Sequence, residues 1–172
     1  RILDNPAGQY NALFGGNLEL IPETSDSYTV GLVFTPTFLD ALSVTVDYFS
    51  IKVEDVISTL DPTISLRQCL DTGNPLFCEL ITRDSQGTLW LLPEANILAT
   101  NINLSTYETS GVDLTVDYNW QIGDWGGLNF NMIGTYLDSF EIENIPGLGT
   151  YDCAGLYGVG CGTPLPEWRH KF

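Results

Sequence analysis

The chain has 172 residues, 22 acidic against 6 basic side chains, and a formal net charge of -16 at pH 7. So few cations exclude a nucleic-acid partner, which needs clustered Lys and Arg to neutralise phosphates. A hydrophobic content of 44% excludes a disordered acidic tail, and no run of about 18 apolar residues offers a transmembrane helix.

Residues 1–22 (RILDNPAGQYNALFGGNLELIP) show no sustained periodicity. Pro6, Gly8, Gly15, Gly16 and Pro22 predict a long loop there. The pattern changes at Ser27. Tyr28, Val30, Leu32 and Phe34 alternate with Ser27, Thr29, Gly31 and Thr35. Pro36 ends the run, because it has no N–H to give a ladder. After a tight turn over Thr37–Ala41, Leu42, Val44, Val46 and Tyr48 alternate with Ser43, Thr45 and Asp47. Period-2 alternation places the two sets on opposite faces of a strand, and two such runs across a short turn predict an antiparallel hairpin. The phase slips at Phe49, Ile51 and Val53, which predicts a bulge or the strand's emergence from its apolar layer.

Residues 61–96 form a long connection. Asp61-Pro62 reads as a helix start, with Ile64, Leu66 and Leu70 on one side. A second short helix is expected over Pro75–Thr82, and a small strand at Trp90-Leu91-Leu92. The hairpin then recurs. Val112, Leu114, Val116, Tyr118, Trp120 and Ile122 alternate with Asp113, Thr115, Asp117, Asn119 and Gln121. Past a turn at Gly123–Gly127, Leu128, Phe130, Met132, Gly134 and Tyr136 alternate with Asn129, Asn131 and Thr135, Ile133 and Leu137 being exceptions. A glycine-rich loop over Pro146–Pro166 follows, and Glu167–Phe172 opens a fifth strand.

Two features separate these strands from an ordinary half-wet sheet. The polar face carries Asp, Asn, Gln, Thr and Ser but little Lys, Arg or Glu, as for a confined aqueous space. The apolar face carries aromatics towards the run ends: Tyr28, Phe34, Tyr48, Tyr118, Trp120, Phe130 and Tyr136. Aromatic girdles around an apolar band, short turns at one end and long loops at the other are the signature of an outer-membrane barrel. The fold class expected is therefore all-β: antiparallel up-and-down strands forming part of a transmembrane β-barrel, with long disulfide-closed extracellular loops containing short helices. A secreted, disulfide-bonded β-sandwich, carbohydrate-binding through loop aromatics, is the alternative.

The cysteines fall in two close pairs, Cys69 with Cys78 and Cys153 with Cys161. Disulfides in an oxidising compartment fit these loops, local pairing being one of three connectivities. The spacings lack a zinc knuckle, and the one histidine, His170, adjoins neither pair. No catalytic residue, metal site or cofactor is expected. His170, beside Arg169 and Lys171, reads as a surface or lumen-facing side chain, and Asp47, Asp113 and Asp117 as lumen polarity. Loop acids Asp61, Asp71, Glu79, Asp84 and Asp152 lack the spacing of a calcium loop. The glycine-rich loop lacks the Gly-Lys-Ser/Thr of a phosphate loop. Loop aromatics Tyr10, Phe14, Phe77, Trp90, Tyr151 and Tyr157 are the ligand-contact candidates.

Four segments also carry a family resemblance. Gly15–Pro36 (GGNLELIPETSDSYTVGLVFTP) resembles the motif with which TonB-dependent receptors begin a late barrel strand, with Asn17, Leu20, Pro22, Glu23, Ser25 and Gly31 in the corresponding places. Leu42–Ile57 resembles the strand that follows. Asn101–Tyr118 resembles the next descending one, and Cys161–Phe172 the P-x-W-R start of another. The resemblance implies a 22-stranded barrel with an N-terminal plug, importing a siderophore, vitamin, haem or glycan with energy from the TonB–ExbB–ExbD complex. It implies residence in the outer membrane of a Gram-negative bacterium, in contact with outer-membrane lipid. This chain, residues 1–172, would supply about four strands and the start of a fifth. The plug, the TonB box and the remaining strands would lie in the rest of the receptor chain.

Overall fold

The computed structural model describes residues 10–158 and 160–172. Pro6 and Gly8, two of the loop markers, lie outside the described residues. The elements in order are β1 (Ala12–Gly15), β2 (Thr24–Phe34), β3 (Leu42–Thr59), α1 (Pro62–Thr72), α2 (Pro75–Cys78), β4 (Ile81–Thr82), β5 (Asn96–Gln121), β6 (Gly127–Glu143), β7 (Tyr151–Asp152) and β8 (Trp168–Lys171). The residues group into two compact units. The first holds those up to Pro22 with Ile57–Asn103; the second holds Glu23–Val56 with Leu104–Phe172.

The second unit is the wall. Its strands lie in the order β2-β3-β5-β6, with β7 and β8 both on β6. β2 and β3 pair antiparallel from Thr24↔Glu54 to Phe34↔Val44, and β5 and β6 from Thr106↔Glu143 to Gln121↔Gly127. The Asn119 N–H donates to the Ala41 carbonyl at 3.1 Å, while Phe49 lies over Gly111. Numbers rise on β3 as they fall on β5, so these two also run antiparallel. Short turns close both hairpins at one end, the second through a 3-10 turn at Gly123–Trp125.

The phase slip at Phe49 is not a bulge. Pairing of β3 with β2 is unbroken from Val44 to Glu54, and the positive φ of 57° falls later, at Asp55. The register shift lies instead between Ser110 and Gly111, where β6 has the extra residue Asp138. Phe49 keeps the parity of Thr45 and Asp47 and points to the polar face, where Gly111 has no side chain to obstruct its ring. An apolar residue on a polar face looks like a register slip in sequence; across the sheet it is a ring filling a glycine notch.

On the polar face the side chains bond across the strands. Thr135 Oγ1 donates to Asp113 Oδ1 at 2.7 Å, Asn131 Nδ2 to Asp117 Oδ1 at 2.6 Å and Asn129 Nδ2 to Asn119 Oδ1 at 2.7 Å. Such pairs are the sheet's own stabilising unit, and they account for a face built from short polar side chains. On the other face Leu32 is 76% exposed and Val30 70%. Tyr28, Phe34, Tyr48, Trp120, Phe130 and Tyr136 are each about half exposed or more. At about 150–250 Å² per aromatic side chain, these rings alone approach the largest apolar patch of a typical soluble monomer, about 300–600 Å². The sandwich alternative needs a second sheet over this face, and the described strands form one.

The aromatics form two rows. Phe34, Tyr118, Phe130 and Trp120 lie near the short turns, while Tyr28, Tyr48 and Tyr136 lie about six residues further along. Trp168 joins the second row, in register with Tyr136. Six residues span about 20 Å of strand at roughly 3.3 Å each. Beyond that row the same face turns charged at once, with Asp26 opposite Lys52 and Glu108 opposite Glu141. Lys52 Nζ meets Glu54 Oε1 at 2.7 Å.

In the first unit, Asp61 Oδ1 accepts from the Thr63 N–H at 2.7 Å and caps α1, which has Pro62 in its first turn. Gly73, at φ 63°, ends it in the left-handed conformation. Asn74 caps α2 in the same way as Asp61. The second helix is shorter than expected. It stops at Cys78, because Ile81 and Thr82 pair with Ile97 and Asn96. Two other expectations also give way. Ala12–Gly15, placed in a loop, pairs in parallel with Ile97–Thr100. Trp90-Leu91-Leu92 is no strand; it bends over a core of Leu66, Leu89 and Ile97. Both errors have one cause: Ile97, fully buried, is the anchor on which the neighbouring segments collect, and that burial is non-local.

Candidate ligand-binding cleft

The loop from Pro146 to Pro166 is pinned at four places. β7 pairs with β6 through Tyr151↔Ile142 and Asp152↔Glu141. Asp152 Oδ1 accepts from the N–H groups of Phe140 and Ala154, each at 3.0 Å. Cys153 is fully buried and bonded to Cys161, Cα–Cα 5.6 Å. Gly155, at φ 72°, donates its N–H to the Leu165 carbonyl at 2.7 Å and lies against the Glu167 side chain. A side chain at Gly155 would need both a strained backbone and space that Glu167 occupies.

These anchors frame a cleft of about 320 Å³, lined by Ile142, Asn144, Tyr151, Leu156, Tyr157, Cys161 and the glycines Gly158 and Gly160. Tyr151 projects from paired strand and Tyr157 from the disulfide-closed loop. The exposures are 56% and 77%. The pairing Tyr107↔Ile142 sets Ile142, and with it Tyr151, on the polar face of the wall, where Phe49 also lies. A second cleft of about 280 Å³ lies on that face among Phe49, Leu137, Phe140, Leu165 and Arg169.

The six aromatic candidates divide. Tyr151 and Tyr157 come together in the first cleft. Phe14 is exposed on β1. Phe77 is 2% exposed and presents no face to a ligand. Tyr10 and Trp90 pack against the Leu66–Leu89–Ile97 core, and the Tyr10 hydroxyl bonds Thr63 Oγ1 at 2.8 Å. Ile142, Asn144 and Leu156 went unnoticed in sequence, since only the β6–β7 pairing brings them beside Tyr151. The cysteines pair locally, Cys69 with Cys78 and Cys153 with Cys161.

Three of the loop acids, Asp61, Asp84 and Asp152, are occupied by local structure. Asp61 caps a helix, and Asp152 holds the start of the glycine-rich loop. Asp84 Oδ1 accepts from the N–H groups of Gln86 at 3.0 Å and Thr88 at 2.7 Å, while Oδ2 accepts from the Thr88 hydroxyl. Burial pushes the Asp84 carboxyl up, but its bonds from Thr88, Gln86 and Leu92 together outweigh that and hold its pKa below the usual value. Among the described residues no three metal-ligating side chains converge. His170 is exposed, as a surface side chain, but does not face the lumen side. It pairs with Gly134 on the apolar face, and its Nδ1 accepts from Trp168 Nε1 at 2.9 Å.

The family model for the TonB dependent receptor-like beta-barrel matches residues 3–168. No curated protein and no solved structure matches the chain. The match covers three of the four segments whose motifs suggested it and reaches Trp168 in the fourth, and the sheet has the antiparallel pairing and exposed apolar band that such a wall requires. The chain belongs to the TonB-dependent receptor-like β-barrel family.

Proposed function

We propose that this chain forms barrel wall and extracellular loops of an outer-membrane receptor for energised uptake of a scarce ligand. The family is one of outer-membrane receptors and transporters rather than enzymes. The observation that carries the reading is the apolar face of β2, β3, β5 and β6, bounded by two aromatic rows and ending abruptly in charge. In this reading the face meets lipid, the Asp-Asn-Thr face meets the lumen, and the short turns lie in the periplasm. Residues 1–172 act as one part of a barrel domain. The rest of the receptor chain completes the barrel, and the TonB–ExbB–ExbD complex drives it. Tyr151 and Tyr157 are the ligand contacts of the cleft, and exposed Phe14 is a separate contact on the first unit.

Membrane fractionation of the organism that makes the protein, joined to an uptake assay, tests this. The expected result is recovery with the outer membrane and loss of ligand accumulation when TonB is deleted or the proton gradient collapsed. Recovery in the soluble fraction would overturn the reading.

A further inference from the structure

The Tyr151–Tyr157 cleft has a chemical bias that the receptor reading leaves open. Between Arg83 and Arg169 the sequence contains no Lys, Arg or His. Every segment that builds the cleft falls inside that interval. The same segments carry Glu141, Glu143, Asp152 and Glu167. Two of these carboxylates are fixed: Glu143 Oε1 accepts from the Gly147 N–H at 2.8 Å, and Asp152 Oδ1 takes two N–H bonds. Across the sheet Lys52 lies near Glu141, Glu143 and Thr150, but it is paired with Glu54, and no cation lines the cleft to bind an anionic ligand. Yet none of these acids lines the cleft itself. A cationic ligand would find no carboxylate within it as a partner.

Among the described residues the cleft offers two exposed phenol rings, the apolar side chains of Ile142 and Leu156, the Asn144 amide, the disulfide-bonded Cys161 and glycine backbone. A pyranose has this complement. Its axial C–H face is apolar and covers an aromatic ring, while its equatorial hydroxyls exchange bonds with amides and phenols. A volume near 320 Å³ is at the lower end for small-ligand clefts, about 300–1,000 Å³, which suits one or two sugar rings of a longer chain.

We propose that this cleft binds an uncharged carbohydrate, with Tyr157 stacking on a sugar ring and Tyr151 fixing the ring's edge. The inference rests on the receptor reading and assigns it a substrate class. The second cleft, with Arg169 at its side, takes no part.

The test uses the full receptor, purified in detergent from outer membranes. Maltotriose, cellotriose and xylotriose are titrated calorimetrically, with trigalacturonate and citrate as anionic probes. The expected result is binding of at least one neutral trisaccharide and of neither anion. Tyr157→Ala is expected to weaken that binding tenfold or more, while Tyr157→Phe keeps it within threefold. Tyr157 is 77% exposed, so neither variant should disturb assembly, and recovery from the outer membrane confirms that for each. Binding of an anion alone, binding of no neutral sugar, or sugar binding that Tyr157→Ala leaves unchanged would overturn the inference while the receptor reading stands. A native protein recovered from the soluble fraction would overturn both.

Discussion

The ring of Phe49 lies directly over Gly111, where a methyl group would come within 2.6 Å of its Cζ and still closer to the Tyr136 carbonyl. Two consequences follow from the second contact. Gly111→Ala forces backbone apart, and overpacking of this kind costs about 1–3 kcal/mol. Adding Phe49→Ala should not rescue it, because the Tyr136 carbonyl remains. Gly31 is the contrast. Its intruding neighbour is the Asp47 side chain, which can rotate away. The reduced freedom of the unfolded chain, about 0.4–1 kcal/mol, should offset that rotation and leave Gly31→Ala nearly neutral. Denaturant titration of the receptor in lipid vesicles distinguishes the three variants.

Charge on the two faces should behave differently. Leu114 pairs with Gly134 midway along the apolar face, and its chain neighbour Thr115 belongs to the polar face. Leu114→Lys is expected to cost about 2–4 kcal/mol, the range for a cation at the midplane of a barrel's lipid face. Thr115→Lys should cost far less. Folding yield into vesicles measures both, and equal costs would contradict the assignment of faces.

Asp84 gives the first unit a dependence on pH. Its folded pKa lies below the usual value, so its contribution is present above the unfolded pKa of about 3.9. That contribution is lost as pH falls from there through the folded pKa. Hydrogen-exchange protection of residues 83–92, corrected for intrinsic rates, should drop in that window. In Asp84→Asn the amide cannot reproduce both acceptors, so protection should be lower at pH 7 and flatter in acid. An unchanged acid profile in the variant would assign the effect to another group.

Cys69–Cys78 closes a loop with a sequence separation of 9. The chain-entropy account gives about 2.5 kcal/mol for a loop of that size. Replacing both cysteines by serine should loosen α1 and α2 by that order. Leu66 and Phe77 are core residues of this unit, so proteolysis of the receptor on intact cells should cut first between residues 60 and 96.

The wall was legible in sequence because its information is local. Alternation at Tyr28–Phe34, Leu42–Tyr48, Val112–Ile122 and Leu128–Tyr136 fixes strand, face and turn without knowledge of partners. The helix start at Asp61-Pro62 was legible for the same reason. Of the two readings of the slip at Phe49, the bulge fails because pairing with β2 is unbroken, while emergence from the apolar layer agrees with the charge beyond Tyr48; the glycine notch at Gly111, far along the chain, was not legible. The small strand Ala12–Gly15 was missed because its pairing with Ile97–Thr100 depends on a buried anchor that no period announces. The cleft was half visible: loop aromatics stood out, but only the β6–β7 pairing separates Tyr151 from Phe77, which the core consumes.

The central claim is that one face of this sheet meets lipid and the other water. Nitroxide labels placed singly at residues 112–119, in receptor returned to bilayers, test it most directly. Collision with oxygen should be high at 112, 114, 116 and 118, and collision with a water-soluble nickel chelate higher at 113, 115, 117 and 119. That period of two would place the band in the membrane. Nickel accessibility at Leu114 and Val116 equal to that at Thr115 and Asp117 would contradict the account.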